Sequence, residues 1–340
     1  MESKGYIDAD GHVRDGESDY RRHMEEPFVR RVAFGAGIGD SFDRALLGTL
    51  GSREGDAQTW LEVLDRGGMA ATVLYPTGGL SVGFIKEPDY AAAYCRAYNS
   101  FLAAEFVKVS PRLKAVALLP LQDVPAAVKE LRRAVTELGM VGAMLPADGP
   151  FLLGNPVLDP LYEEAQRLGT MVAVHGTGSL RGRGLDEYLF DVLIQAHTLS
   201  HSGAQMRQMT SMILGGVAEK FPELRIAFLE AGCTWVPYWM DRMDEEFEFR
   251  GKAEAPLLKK KPSEYVRGTN IFISCEPEEQ LLPEALRIVG PDSVVFASDY
   301  PHWDGSYPES LFELEAREDL SAAAKTQILI DNPKRLYGLR

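Results

Sequence analysis

Short apolar runs, many rich in β-branched residues, alternate along this chain with longer segments whose apolar positions recur three and four apart. Eight runs stand out: Tyr6–Asp10, Ala70–Tyr75, Leu113–Leu119, Val141–Leu145, Thr170–His175, Leu224–Glu230, Thr269–Cys275 and Ser293–Ser298. Most are apolar at successive positions, as in parallel strands covered on both faces. Between them the spacing predicts helices over Asp89–Lys108, Val124–Glu137, Pro156–Leu168, Gln205–Lys220, Glu278–Val289 and Leu320–Ile330, each ending near a Gly or Pro. Eight strands alternating with helices point to an α/β fold, a (β/α)8 TIM barrel. A doubly wound open sheet is the competing architecture. It would normally carry a phosphate loop after its first strand, where Asp10-Gly11-His12 stands instead, and no GxGxxG or GxxxxGK[ST] occurs.

Two segments are too long for plain connectors and predict insertions after strands 1 and 5. Residues 13–60 read as a polar arm, with Arg21, Arg22, Arg30 and Arg31. Residues 177–203 follow the fifth strand, hold Arg181, Arg183, His197 and His201, and read as an active-site loop region. Neither resembles a linker, so residues 1–340 read as one domain.

Composition narrows the function classes. The chain has 340 residues, 45% apolar and 25% charged, which excludes disorder and a disulfide scaffold. Its net charge of −14 leaves no overall electrostatic footprint for nucleic acid or an anionic membrane. Cys95, Cys233 and Cys275 are scattered and form no CxxC, so neither a disulfide framework nor a thiolate zinc site is expected. With no apolar leader after Met1 and no long apolar span, a cytoplasmic location is expected.

Chemistry concentrates where the runs end. The strand-end residues are Asp10, with His12 just beyond, then Pro76, Pro120, Pro146, His175, Glu230, Cys275 and Asp299. Barrel strands deliver these positions to one rim, where charged groups need a partner or an ion to offset desolvation. Strict alternation would put Asp8, Asp10 and His12 on one face of the first strand. Asp10, His12, His175 and Asp299 form a two-nitrogen, two-carboxylate set. It suits one divalent ion, Zn²⁺ best, with Mn²⁺ or Fe²⁺ also accommodated. Singly each has a bland explanation as a polar cap; jointly they fall at strands one, five and eight.

Glu230 beside such an ion would handle protons, or else pair with a basic residue. His302, three residues past Asp299, is a further catalytic or ion-supporting candidate. His197 and His201 share a face if their segment is helical, and His201 is the better substrate contact. Trp303 offers an apolar wall for a ring, and Arg181 and Arg183 a fork for a carboxylate. Trp235 and Trp239, also four apart, read as core or subunit interface.

These residues carry a family resemblance. The chain resembles the amidohydrolase superfamily, in the branch of aminocarboxymuconate semialdehyde, resorcylate and dihydroxybenzoate decarboxylases. The resemblance runs through Ile7-Asp8-Ala9-Asp10-Gly11-His12, Val174-His175-Gly176, Met212–Val217 and Phe221–Arg225. It is most specific in Phe228–Pro237 and Ser298-Asp299-Tyr300-Pro301-His302-Trp303. It implies a divalent metal on Asp10, His12, His175 and Asp299, a proton-shuttling role for Asp299, a homodimer, and a small carboxylated or phenolic substrate. Two departures stand out. The usual first-strand HxH is Asp10-Gly11-His12, although resorcylate-type enzymes also place a carboxylate first, and the sixth-strand histidine of the decarboxylases is Glu230. The second tilts the expectation to hydrolysis by metal-activated water, with non-oxidative decarboxylation as the alternative. A non-catalytic barrel ranks last, because all four ligand positions hold competent side chains.

Overall fold

The structure, a computed structural model, describes residues 3–31, 55–176, 190–268 and 270–340. All eight expected strands form: β1 (Tyr6–Val13), β2 (Met69–Pro76), β3 (Leu113–Leu118), β4 (Gly142–Pro146), β5 (Met171–His175), β6 (Arg225–Phe228), β7 (Ile271–Cys275) and β8 (Val294–Phe296). Each pairs in parallel with the next, in the order β1 to β8. The Asp299 amide donates to Asp10 O (2.9 Å) and the His12 amide to Tyr300 O (2.7 Å). These bonds join the chain beyond β8 to β1, giving a nearly closed (β/α)8 barrel. The strands are buried almost throughout, which is why they read as continuous apolar runs rather than alternating ones.

The helices around the barrel are α1 (Glu17–Arg21), α2 (Ala57–Gly67), α3 (Pro88–Leu102), α4 (Val124–Thr136), α5 (Asp159–Arg167), α6 (Leu193–Leu214), α7 (Val217–Lys220), α8 (Val236–Glu254), α9 (Pro262–Val266), α10 (Leu282–Val289), α11 (Glu309–Ala316), α12 (Ala322–Thr326) and α13 (Asn332–Tyr337). Asp123 caps α4, its carboxylate accepting from the Ala126 amide. None of these helices is long and apolar enough to cross a membrane.

Two expectations need correction. The segment read as a loop to Gly203 is helical from Leu193. The last helical stretch does not stop at Ile330: a wide turn over Gln327–Asp331 leads into α13, with Pro333 in its first turn, where a missing N–H costs nothing. Of the arm at 13–60, the described parts are the end of β1, α1, a short turn at Phe28–Arg30 and the start of α2. Residues 32–54 of the arm and 177–189 of the loop region lie outside the described residues.

Candidate active site

The first strand brings its two candidate ligands together through a local irregularity. Pairing with β2 runs Asp8↔Thr72 but Gly11↔Leu74, so one extra residue is accommodated between Asp8 and Gly11. Strict alternation therefore fails. The Asp8 carboxylate instead accepts from the Thr72 hydroxyl (2.7 Å), the Ser298 hydroxyl (2.8 Å) and the Ser298 amide (2.9 Å). It bolts β1, β2 and β8 together and stands apart from the candidate ligand cluster.

Only glycine fits between the two ligands. A methyl group on Gly11 would lie 2.4 Å from the Trp60 ring and 2.6 Å from the Thr72 hydroxyl. Gly11→Ala is therefore expected to destabilise the protein by about 1–3 kcal/mol through overpacking. It should also weaken divalent-ion binding at least ~10-fold by displacing Asp10 and His12. Thermal denaturation and metal titration check both.

Asp10, His12 and His175 are fully buried. The Nδ1 of His12 faces Pro76 O (2.9 Å) and that of His175 faces Gly176 O (2.8 Å). Those carbonyls require N–H at Nδ1, so each Nε2 presents a lone pair. The Tyr75 ring stacks on His175 at 5.5 Å and is itself tied to Tyr337. The His12 Nε2 lies 3.5 Å from Asp10 Oδ1 and 3.2 Å from Asp299 Oδ1, and the His175 Nε2 lies 3.4 Å from Asp10 Oδ2.

None of these five atoms has a hydrogen-bond partner. Lone pairs facing carboxylate oxygens in a buried space repel unless a cation lies between them. Four ligands around Zn²⁺ at ~2.0–2.1 Å are separated by about 3.3 Å from one another in a tetrahedron. The three separations, 3.2–3.5 Å, match; Asp10, His12 and His175 form one such group and Asp299 meets it at His12, so the residues present fit a divalent ion.

A second layer of titratable groups adjoins the first. Glu230 Oε2 lies 3.1 Å from His175 Nδ1 and 3.3 Å from His201 Nδ1, while His302 Nδ1 lies 2.8 Å from Asp299 Oδ1 and 3.6 Å from Glu230 Oε1. The other nitrogen of His302 meets the Thr77 hydroxyl (3.0 Å), and the Thr77 amide donates to buried Asp15. Burial would raise Glu230, but His175 and His201 hold it well below the carboxylate range. Burial likewise opposes the charge on Asp299, yet His302 keeps it down, at about 2. Burial pulls His201 down, but the Glu230 carboxylate outweighs it and holds the imidazole at about 9. His201 is therefore protonated, and Glu230 and Asp299 are charged.

Glu230 (φ 58°) and Asp299 (φ 50°) both adopt the left-handed backbone conformation, unusual for residues with a side chain. Both lie just beyond their strands, and the twist turns their carboxylates back over the barrel mouth. The cavity there measures about 290 Å³ and is lined by Glu230, Glu276, Asp299, His201, Ser306 and Ser310 among others.

The structure groups Asp10 with His12 and His175, and His12 in turn with Glu230, Asp299 and His302, while His201 adjoins through Glu230. His197 also lines the cavity, because 193–203 is helical and places it with His201; it contacts Asp304. Trp303 packs on His197 at 5.3 Å and is not among the described lining residues. Arg181 and Arg183 lie outside the described residues. Trp235 and Trp239 pack against the barrel core. Sequence reasoning missed Glu276, which lines the cavity and is raised to about 8 by burial and by the facing charge of Asp299. It stands one residue past Cys275, so reading one position further beyond β7 would have found it.

Comparison with known proteins shows the family and the fold. The family model described as Amidohydrolase matches residues 7–339. The chain is similar to a 2-amino-3-carboxymuconate-6-semialdehyde decarboxylase of Dictyostelium discoideum, 26% identical over 84% of this chain and 79% of that protein. It is similar to a gamma-resorcylate decarboxylase of a Rhizobium species, 25% identical over 83% of this chain and 86% of that one. Among solved structures, a dihydroxybenzoic acid decarboxylase of a Polaromonas species, with bound manganese and the inhibitor 2-nitroresorcinol, superposes with a TM-score of 0.75. The two are 24% identical, over 100% of this chain and 98% of that one.

Proposed function

From the premise that the chain belongs to the amidohydrolase family, we propose that it is a metal-dependent carboxy-lyase that removes CO₂ from a small hydroxylated aromatic acid without an oxidant. The observation that carries this is the convergence of five unpartnered ligand atoms beside a chain of protonatable groups. The relatives favour decarboxylation over the hydrolysis expected from Glu230. The geometry supplies a physical reason. Glu230 replaces a strand-end imidazole, but His201 from α6 reaches the same spot and rests against it. A cationic acid is thus retained at the mouth.

Asp10, His12, His175 and Asp299 would hold the ion, with Zn²⁺ suited to the two-nitrogen, two-oxygen set and Mn²⁺ close behind. When bound, the ion would supply a Lewis acid to a carboxylated substrate. Glu230 holds the His201 imidazolium at the cavity, and His302 holds Asp299 in place. The proton passes from this pair to the ring carbon bearing the carboxylate. The C–C bond then breaks, its electrons restore the ring, and the carboxylate departs as CO₂. His201 recovers a proton through the open mouth.

Incubating metal-loaded protein with a panel of hydroxylated benzoates, 2,6-dihydroxybenzoate included, is expected to release one CO₂ per phenol formed, scored by mass spectrometry. Hydrolysis of esters, lactones or amides with no CO₂ from any carboxylated ring would overturn the reading. The resemblance also carries a homodimer, for which light scattering is the check.

A further inference from the structure

We infer that Glu279, which lies behind the cavity wall, is a positioning residue that sets the place of Glu230. The inference rests on the reading that Glu230 and His201 together move the proton. Glu230 sits in a backbone conformation that disfavours a side chain, so something outside it must hold the turn. Two contacts do so. The Glu230 amide donates to the Ser274 hydroxyl (2.9 Å) on β7. The rest of the turn is gathered by one carboxylate: Glu279 Oε1 accepts from the Cys233 amide and the Thr234 amide, both at 2.8 Å.

The other oxygen of Glu279 reaches the neighbouring loop. Its Oε2 accepts from the Glu276 amide (3.0 Å), at the residue that also lines the cavity. One side chain therefore ties the turn after β6 to the turn after β7, and each turn carries a cavity carboxylate. The fit is close. Gly232, with φ 63°, would place a methyl group 2.6 Å from Glu279 Oε1, so the carboxylate occupies the space that any other residue would fill. Glu279 is held from behind, since the Arg317 guanidinium donates to the carbonyls of Pro277 and Glu279, both at 2.7 Å. Glu279 lines no part of the cavity among the described residues, so it acts through Glu230.

The test uses zinc-loaded full-length protein and two readouts. The first is the titration midpoint of the His201 ring by NMR, which senses Glu230 and is faced also by His197, Asp304 and Asp299. The second is kcat with 2,6-dihydroxybenzoate. Glu279→Ala is expected to lower the His201 midpoint by about one to two pH units, as Glu230→Gln should, because the carboxylate swings away. Glu279→Gln keeps an acceptor for the Cys233 and Thr234 amides and should restore most of the midpoint. In a Glu230→Gln background, Glu279→Ala should change nothing further, a non-additivity that a merely stabilising residue would not show. Where 2,6-dihydroxybenzoate is turned over, kcat should fall ~30-fold in Glu279→Ala with KM nearly constant.

A wild-type His201 midpoint in Glu279→Ala, or full additivity of the two substitutions, overturns the inference. Failure of the underlying reading looks different: Glu230→Gln would leave kcat unchanged whatever Glu279 does.

Discussion

Replacing His12 by alanine is expected to leave a folded protein that neither retains a divalent ion nor turns over substrate. The imidazole is wholly buried, its Nδ1 is committed to Pro76 O, and its Nε2 faces two carboxylate oxygens with no proton to offer them. Removing it takes one of the four proposed ligands and leaves Asp10 with His175 as its remaining nitrogen neighbour. Metal content after dialysis against Zn²⁺ or Mn²⁺ should fall from near one per chain to below ~0.2, and kcat by at least ~10³-fold. Asp299→Asn should cost a similar factor in kcat while retaining more of the ion, because the amide oxygen remains a weak ligand and the charge paired with His302 is lost. Elemental analysis and turnover on one preparation separate the two effects. A His12→Ala protein with a full equivalent of metal and wild-type kcat would remove the four-ligand site altogether.

How far this site could be read in advance depended on which physical signal carried each residue. Strands buried on both faces leave unbroken apolar runs, so all eight were legible, and with them the rim where Asp10 lies within β1, His175 ends β5 and Asp299 follows β8. The extra residue between Asp8 and Gly11 was not legible, since it depends on the Trp60 and Thr72 side chains that crowd Gly11. Nor were the left-handed turns at Glu230 and Asp299, where neither residue is a glycine and the conformation is imposed from β7 and β1. The first half of α6 escaped for another reason. It faces a polar cavity with His197 and His201, so it lacks the single apolar stripe by which helices are found. The departure at Glu230 is visible in the sequence and on its own favours hydrolysis. What the chain alone could not show is that His201 from α6 lies against the Glu230 carboxylate.

Glu230→Gln tests that contact most directly. The variant is nearly isosteric, keeps the Ser274 contact through its backbone, and removes one charge. Burial alone would depress the His201 imidazolium; the Glu230 carboxylate is the main opposing influence, with Asp304 and Asp299 adding to it, and together they hold the ring at about 9. With glutamine the chief opposing charge is gone, and the midpoint should fall toward the ordinary histidine value of about 6.5. The sign follows from which form acts. If the imidazolium donates the proton, turnover is full below the midpoint and fades as pH rises through it. The wild-type enzyme should therefore lose activity near pH 9, and the variant one to two units lower. On top of this shift, kcat at its optimum should fall by roughly 10²-fold, the contribution typical of a positioned proton donor. The ratio of wild-type to variant rates should thus be smallest near pH 6 and grow with pH until both limbs are passed, above about pH 9. An unchanged kcat, or an alkaline limb that stays in place, would take Glu230 and His201 out of the proton path and return the choice between decarboxylation and hydrolysis to the metal ligands alone.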